Sequence, residues 1–317
     1  MKGYDGDHEL VLEGYSRIAQ LIHDSGADGK PLRDVRLGTR VTRVELVEGG
    51  GCRVMVDGGE VIGCHAVLCT LPLGVLQASA DTQAGRESEA ASRKAAAARG
   101  VAHHPPASVQ FVPQLPPFKV QALEKLRMGT ENRVAMLFNK PFWGDEHFLR
   151  LKHGAFSFFN NHALGLEGVL SAWVKPAHVA CLEAMTDEQA LAAALAELRK
   201  MYPAARGVEP EDYEVTRWAS DPFSMGAYSC VPVGASRADY DRLAVPLTGD
   251  AGVDAKAGSA LQGSATQPTQ RVYFAGEATY KEDSYTVHGA LLSGMREARG
   301  IAKWWLENAE EAIRWQL

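Results

Sequence analysis

Residues 271–299, RVYFAGEATYKEDSYTVHGALLSGMREAR, constrain the fold more than any other stretch of the chain. Arg271-Val272-Tyr273-Phe274 predicts a short buried strand that stops at Ala275-Gly276-Glu277. A helical period begins near Thr286 and runs through Val287, Ala290, Leu291, Met295, Ala298 and Ile301, with Gly289 and Ser293 four apart on one face. Strand, Gly-Glu turn and small-residue helix start form one unit. Backbone without bulky side chains can approach a flat ring closely, and a helix N-terminus offers unpaired N–H donors with partial positive charge. A cofactor site has this form, and spacing alone fits a tight packing turn equally well.

With 317 residues, 46% of them hydrophobic, the chain can build one large domain or two ordinary ones. No apolar run reaches the ~18 to 20 residues a membrane helix needs, and Met1-Lys2-Gly3-Tyr4-Asp5 does not begin a signal peptide, so an intracellular protein without a membrane partner is expected. A net charge of -6 argues against wholesale electrostatic capture of nucleic acid. The five cysteines are odd in number and form no C-x-x-C, which predicts reduced thiols and neither a disulfide framework nor a zinc site. His103-His104 lacks a third ligand at suitable spacing, and no metal site is expected.

Residues 4–22 read as a turn leading into a helix. β-branched residues fill 35–46 and 53–56 around Glu48-Gly49-Gly50-Gly51, a hairpin signal; no helix follows it, so it is not a dinucleotide loop. Val67-Leu68-Cys69-Thr70-Leu71-Pro72 predicts a strand buried on both faces that turns at the proline. Ligands in open α/β sheets bind at such carboxyl ends, although a core strand with a plain turn reads the same way. Residues 78–108 predict a solvated polar insertion, transiently helical at 90–99, because no large apolar side chain lies between Leu76 and Val101.

Strand-like runs at 133–138, 148–151, 156–159 and 169–174 predict an antiparallel sheet. Thr186-Asp187-Glu188-Gln189 is a capping box, and the helix behind it sets Leu191, Leu195, Leu198 and Tyr202 on a core face. After a strand at 214–218, Trp218 and Phe223 are joined through Asp221-Pro222 and closed by Gly226; they either wall a pocket or pack under a loop. No G-x-G-x-x-G occurs.

In this order, VLCTLPLGVLQ (67–77), VQFVPQLPPFK (109–119), RVAMLFNKPFWG (133–144), TRWASDPFSMGAYSCVPVGASRADYDRLAVPL (216–247) and RVYFAGEATYKEDSYTVHGALLSGMREA (271–298) resemble the flavin-dependent amine oxidase superfamily, specifically its lysine-specific histone demethylase branch. The resemblance covers nearly the whole chain except the polar insertion. It implies a mixed α/β (α+β) fold: part of a Rossmann-like FAD-binding domain, residues 1–129 and 249–317, interleaved with a mixed-sheet substrate domain, residues 130–248. It further implies that the dinucleotide-binding βαβ unit, whose glycine-rich loop holds the FAD pyrophosphate, lies before these residues in a longer enzyme.

Carried over position by position, the resemblance makes Val41, Thr70, Leu71 and Pro72 FAD neighbours and sets Trp218, Phe223 and Ser229 around the flavin. It places Gly276 and Glu277 on the ribityl side, and Thr286 and Val287 at the isoalloxazine ring. Arg133 stands where the family has a lysine bonded through water to the flavin; arginine keeps the charge and cannot titrate as a base. Cys230 stands where many relatives have a cage tyrosine and offers no ring face to an amine, whereas Thr286, with Tyr285 beside it, matches the demethylase branch.

The implied reaction is oxidation of N-methyl-lysine, in a histone tail or another amine substrate, to an imine, with O2 as oxidant and formaldehyde and H2O2 as products. A polyamine oxidase, or a non-catalytic or truncated amine-oxidase fragment, are the alternatives. A nuclear location follows from the same resemblance. No nucleic-acid motif is visible, and the modules by which demethylase relatives hold chromatin partners are not encoded in this segment.

Overall fold

Parallel strand pairs occur in one part of the chain, beside antiparallel ones, and a wholly antiparallel sheet forms in the other. The computed structural model describes residues 11, 13–26, 30–31, 34–48, 50–248 and 270–307, so the readings that involve residues 4–10, Gly49, 249–269 and 308–317 lie outside the described residues. The chain clusters into two units, residues 1–39 with 131–216 and residues 40–130 with 217–317.

In the second unit, β1 (Val41–Leu46), β2 (Cys52–Val56) and β3 (Val61–Cys64) form an antiparallel meander, and β5 (Gln110–Val112) joins β1 in parallel. A separate sheet sets β4 (Val67–Cys69) parallel to β14 (Gln270–Phe274), with β13 (Leu247–Thr248) antiparallel on the far side of β14. Val44, Phe111, Leu73, Leu123, Val272 and Phe274 share one core. β4 is buried on one face only: Cys69 is buried while Leu68 is exposed and lines an apolar groove with Ala298, Ile301 and Trp305 of α8 (Val287–Glu307).

The segment 217–248 belongs with this unit, against the division drawn from the resemblance. The reason is local: β12 (Tyr228–Cys230) pairs with β6 (Arg127–Gly129), and α7 (Ala238–Ala244) packs on α4 (Pro117–Lys125).

The expected solvated insertion is a correction too. Residues 73–79 form α2 (Leu73–Ser79) and residues 83–99 form α3 (Gln83–Arg99), which buries Ala84, Ser92, Ala95 and Ala96. Thr82 caps α3: its Oγ1 accepts from Gly85 N at 3.0 Å and donates to Gln77 O at 3.1 Å. Small side chains let α3 lie close against α2, so burial here needs no large apolar residue. Hydrophobicity alone does not reveal such a face.

The other unit is built on the antiparallel sheet read from the strand runs. Its order is β11 (Asp212–Val215), β7 (Arg133–Leu137), β10 (Val169–Val174), β9 (Phe156–Asn160), β8 (Phe148–Arg150). α5 (Val179–Glu183) and α6 (Asp187–Met201) cover its core of Val134, Met136, Phe158, Leu170, Leu195 and Leu198. The capping box forms as expected, with Thr186 Oγ1 accepting from Gln189 N at 3.3 Å and Gln189 Oε1 accepting from Thr186 N at 3.0 Å. α1 (Tyr15–Asp24) has no buried residue.

Lys119 is a buried cation of the 40–130/217–317 unit. Its Nζ donates to Leu243 O at 2.5 Å and Val245 O at 2.8 Å, at the C-terminal end of α7, and sits 3.9 Å from the Phe274 ring centre. Helix C-termini present carbonyls without intrahelical partners and partial negative charge, so an ammonium fits there. Burial nonetheless pushes the Lys119 pKa down to about 7, against the ordinary 10.5. Between those values the unfolded chain binds a proton that the folded chain releases, so the wild type gains stability as pH rises through this window. Relative to Lys119→Met, the wild-type urea midpoint is expected to rise from pH 7 to pH 9 with a slope approaching ~1.4 kcal/mol per pH unit.

Candidate flavin-facing site

β4 and β14 run side by side in parallel, Cys69 opposite Phe274, and the pairing continues as Ala275 N donates to Cys69 O at 3.0 Å. Thr70-Leu71-Pro72 and Gly276-Glu277 therefore leave the carboxyl ends of neighbouring parallel strands together. Pro72 cannot continue the strand and serves as the N-cap of α2. Gly276 turns the chain at φ 119°.

The carboxylate of Glu277 gathers the turn. Its Oε1 accepts from Ser229 N at 2.9 Å, and its Oε2 accepts from Ser229 Oγ at 2.6 Å and Tyr285 N at 2.8 Å. The Tyr240 hydroxyl lies 3.0 Å from Ser229 Oγ and donates to it, because the serine proton is committed to Glu277. Burial pushes the Tyr240 phenol pKa up, and hydrogen bonds with Ser229 and Ser284 pull the other way.

The buried side of α8 holds the same turn from behind. Gly276 N donates to Ser293 Oγ at 2.8 Å; Arg296 reaches Phe274 O at 3.1 Å and Thr279 O at 2.7 Å. The apolar period read along this helix faces outward: Val287, Leu291 and Met295 are exposed, while Gly289, Ser293, Glu297 and Trp304 are buried. Thr286 caps the helix, its Oγ1 accepting from Gly289 N at 3.1 Å and donating to Asp283 O at 2.6 Å. A Cβ at Gly289 would fall 2.0 Å from Asp283 O, so this close approach requires glycine.

The aromatic loop is anchored by a second close approach. The Asp221 carboxylate accepts from Phe223 N at 2.9 Å and Ser224 Oγ at 2.8 Å, shaping a turn that packs on α2. A Cβ at Gly74 would fall 2.6 Å from Met225 Cβ, so the helix after Pro72 and the loop after Trp218 meet at glycine. Trp218 and Phe223 stay exposed, Phe223 by 60%. Cys230, paired with Arg127 across β12 and β6, is half-buried, and burial raises its thiol pKa.

Of the residues carried over from the resemblance, the fold thus brings Thr70, Leu71, Pro72, Trp218, Phe223, Ser229, Cys230, Gly276, Glu277, Tyr285, Thr286 and Val287 into one unit through named contacts. Val41 opens β1 in the other sheet and, like Leu71, packs half-buried on the shared core. Arg133 lies in the other unit, at the start of β7, where its guanidinium stands 4.1 Å from the Trp173 ring centre and donates to Glu131 Oε1 at 2.8 Å. Tyr240 and Arg296 were not singled out from sequence; Ser293 was noted for its four-residue spacing from Gly289 on one face, and extending that spacing by one further turn reaches Glu297 and its neighbour Arg296.

The residues present fit the ribityl and ring half of a flavin. Glu277 Oε1 takes one hydrogen bond and Oε2 two, leaving acceptor capacity for a hydroxyl donor. Tyr285, whose N–H it binds, is exposed, as are Trp218 and Phe223.

The profile of flavin-containing amine oxidoreductases matches residues 1–302. Lysine-specific histone demethylase 1 homolog 2 from Oryza sativa subsp. japonica is 31% identical over 306 residues, which cover 93% of this chain and 33% of that protein. Polyamine oxidase 4 from the same plant is 30% identical over 297 residues, covering 92% of this chain and 49% of that one. The solved structure of putrescine oxidase, wild type bound to putrescine, superposes with a TM-score of 0.64 at 18% identity, covering 92% of this chain and 53% of that chain. The chain spans about half the length of the polyamine oxidase relatives and about a third of the demethylase relatives.

Two substitutions test the turn. Glu277→Gln sets an amide N–H₂ against backbone donors and is expected to destabilise the 40–130/217–317 unit by about 2 kcal/mol in urea unfolding. Gly289→Ala forces the 283–286 turn apart and is expected to cost ~1–3 kcal/mol, read as a lower melting temperature.

Proposed function

We propose that this chain, which belongs to the flavin-containing amine oxidoreductase family, forms the ring-facing half of an FAD enzyme that oxidises an N-methylated lysine side chain carried by a histone tail. Bound FAD would supply the two-electron acceptor. The chain's own residues would do the positioning: Glu277 would accept from a ribityl hydroxyl, Thr286 and Val287 would hold the ring, and the α8 N-terminus would offer partial positive charge to it.

The observation that carries this reading is the state of the carboxylates around the site. Glu277 is engaged by three donors, Asp221 by its own turn, and Asp283 stands 3.8 Å from His288. Asp221 and Glu277 are thus committed to these donors, Glu277 keeping room for one hydroxyl, so neither offers an unengaged carboxylate to the second ammonium of a free polyamine. Exposed Trp218, Phe223 and Tyr285 instead offer apolar and ring surface to one alkylated amine at the end of a peptide-borne side chain. The same reading has the protein act in the nucleus.

The second reading, a polyamine oxidase, is favoured by the similarity to polyamine oxidase 4 over 92% of the chain. Peroxide release decides between them, measured with a dimethyl-lysine histone peptide and with spermine. The 317-residue chain and the product of the full reading frame are assayed side by side, each loaded with FAD. Turnover of the peptide and not of spermine is expected; turnover of spermine alone overturns the demethylase reading, and no flavin uptake by either protein supports the non-catalytic one.

A further inference from the structure

Cys52 and Cys64 stand directly opposite each other in the antiparallel β2–β3 ladder. Opposed residues of such a ladder point to the same face with Cα atoms ~4.5–5.5 Å apart, inside the ~4.4–6.8 Å range that a disulfide spans. Cys64 Sγ donates to Cys52 O at 3.8 Å and Cys52 Sγ donates to Arg271 O at 3.7 Å. Cys52 is buried and Cys64 half-buried on the edge strand of the sheet. Both open onto a cavity of about 210 Å³ whose wall includes Gly50, Gly51 and Gly63, with Arg53 and His65 as its basic members.

The other thiols lack this setting. Cys69 is buried, with burial pushing its pKa up to about 11. Cys230 is raised by burial as well, and Cys181 is exposed on α5 in the other unit. Within the pair, the interaction with Cys52 lowers the Cys64 pKa and correspondingly raises that of Cys52. Attack on peroxide needs a thiolate with access, and resolution needs a second thiol at bonding distance.

We propose that Cys52 and Cys64 form an oxidisable dithiol whose co-substrate is a hydroperoxide, Cys64 reacting first and Cys52 resolving it into an intramolecular disulfide. The Cys64 sulfur attacks the O–O bond, which breaks; one oxygen stays on sulfur as sulfenic acid and the other leaves as alkoxide or hydroxide, taking up the thiol proton. Cys52 sulfur then attacks Cys64 sulfur, the S–O bond breaks, and the hydroxyl departs as water with the Cys52 proton. Two thiols and one ROOH become one disulfide, ROH and H2O, the sulfurs supplying both electrons. The cross-link removes the Cys52 thiol donor from Arg271 O, at the root of the strand that ends in Gly276-Glu277. The inference rests on the proposed amine oxidation only for a source of peroxide, since that reaction releases H2O2.

The test adds the oxidant directly, so its failure and that of the amine-oxidase reading are distinguishable. The 317-residue chain is treated with one equivalent of hydrogen peroxide at pH 7, alkylated and mapped without reduction. The expected map joins the Cys52 and Cys64 peptides with the loss of two hydrogens and finds Cys69, Cys181 and Cys230 alkylated. Cys64→Ser is expected to abolish the cross-link and slow peroxide consumption at least about tenfold, whereas Cys52→Ser leaves a Cys64 sulfenic acid that a cyclic 1,3-dione traps. Oxidation of Cys181 ahead of the pair, or a wild-type map with both thiols alkylated, overturns the proposal. Should either variant fail to fold, the wild-type map alone decides.

Discussion

The carboxylate of Glu277 is the contact on which the candidate site depends. Its three donors come from β12 and from the loop before α8, so one side chain joins the strand-end turn to a strand 48 residues away and to the loop 8 residues on. Hydrogen bonds to a carboxylate are shorter and stronger than neutral ones, and the Ser229 donors are fully buried, so leaving them unmet would cost more than the bonds contribute. From the other side, Ser293 and Arg296 take up the turn's remaining backbone groups. Gly276 at φ 119° and Tyr285 at φ 58° are thereby held in conformations that a free loop would seldom visit.

Much of this was legible in the sequence, for physical reasons that differ by element. The strand ending at Gly276-Glu277 and the helix after Thr286 were readable from a buried apolar run that stops at glycine and a helical period that follows, whereas spacing alone left a cofactor site and a tight packing turn equally open. The antiparallel sheet from Arg133 to Val174 followed from runs of β-branched and aromatic residues at turn-like spacing, and the Thr186–Gln189 cap from side chains that can satisfy only each other's backbone. Long ordered motifs then made the family visible, and the match over residues 1–302 agrees.

What stayed hidden was burial by small and polar groups. α3 packs through Ala, Gly and Ser, and α8 turns Gly289, Ser293 and Glu297 inward while showing Val287, Leu291 and Met295 outward. A period of apolar residues gives the angle of a helix face and not its sign; the sign is set by close backbone approaches such as Gly289 to Asp283. Lys119 was passed over because a lysine in sequence reads as solvent-facing, and only the end of α7 makes its burial intelligible. The substitution at Arg133 was readable, but not the Glu131 and Trp173 contacts that hold it, since neither follows from spacing.

Tyr285 does its structural work entirely through the main chain: its N–H serves Glu277, while 49% of the residue remains exposed. The side chain is therefore free to vary without disturbing the turn, within the limits of a left-handed backbone, which asparagine, aspartate or glycine tolerate best. Its neighbour Val287 is similarly exposed at the first position of α8. A scaffold arranged in this way separates heritable framework from adjustable chemistry. Change at these two exposed positions leaves every contact that shapes the turn intact.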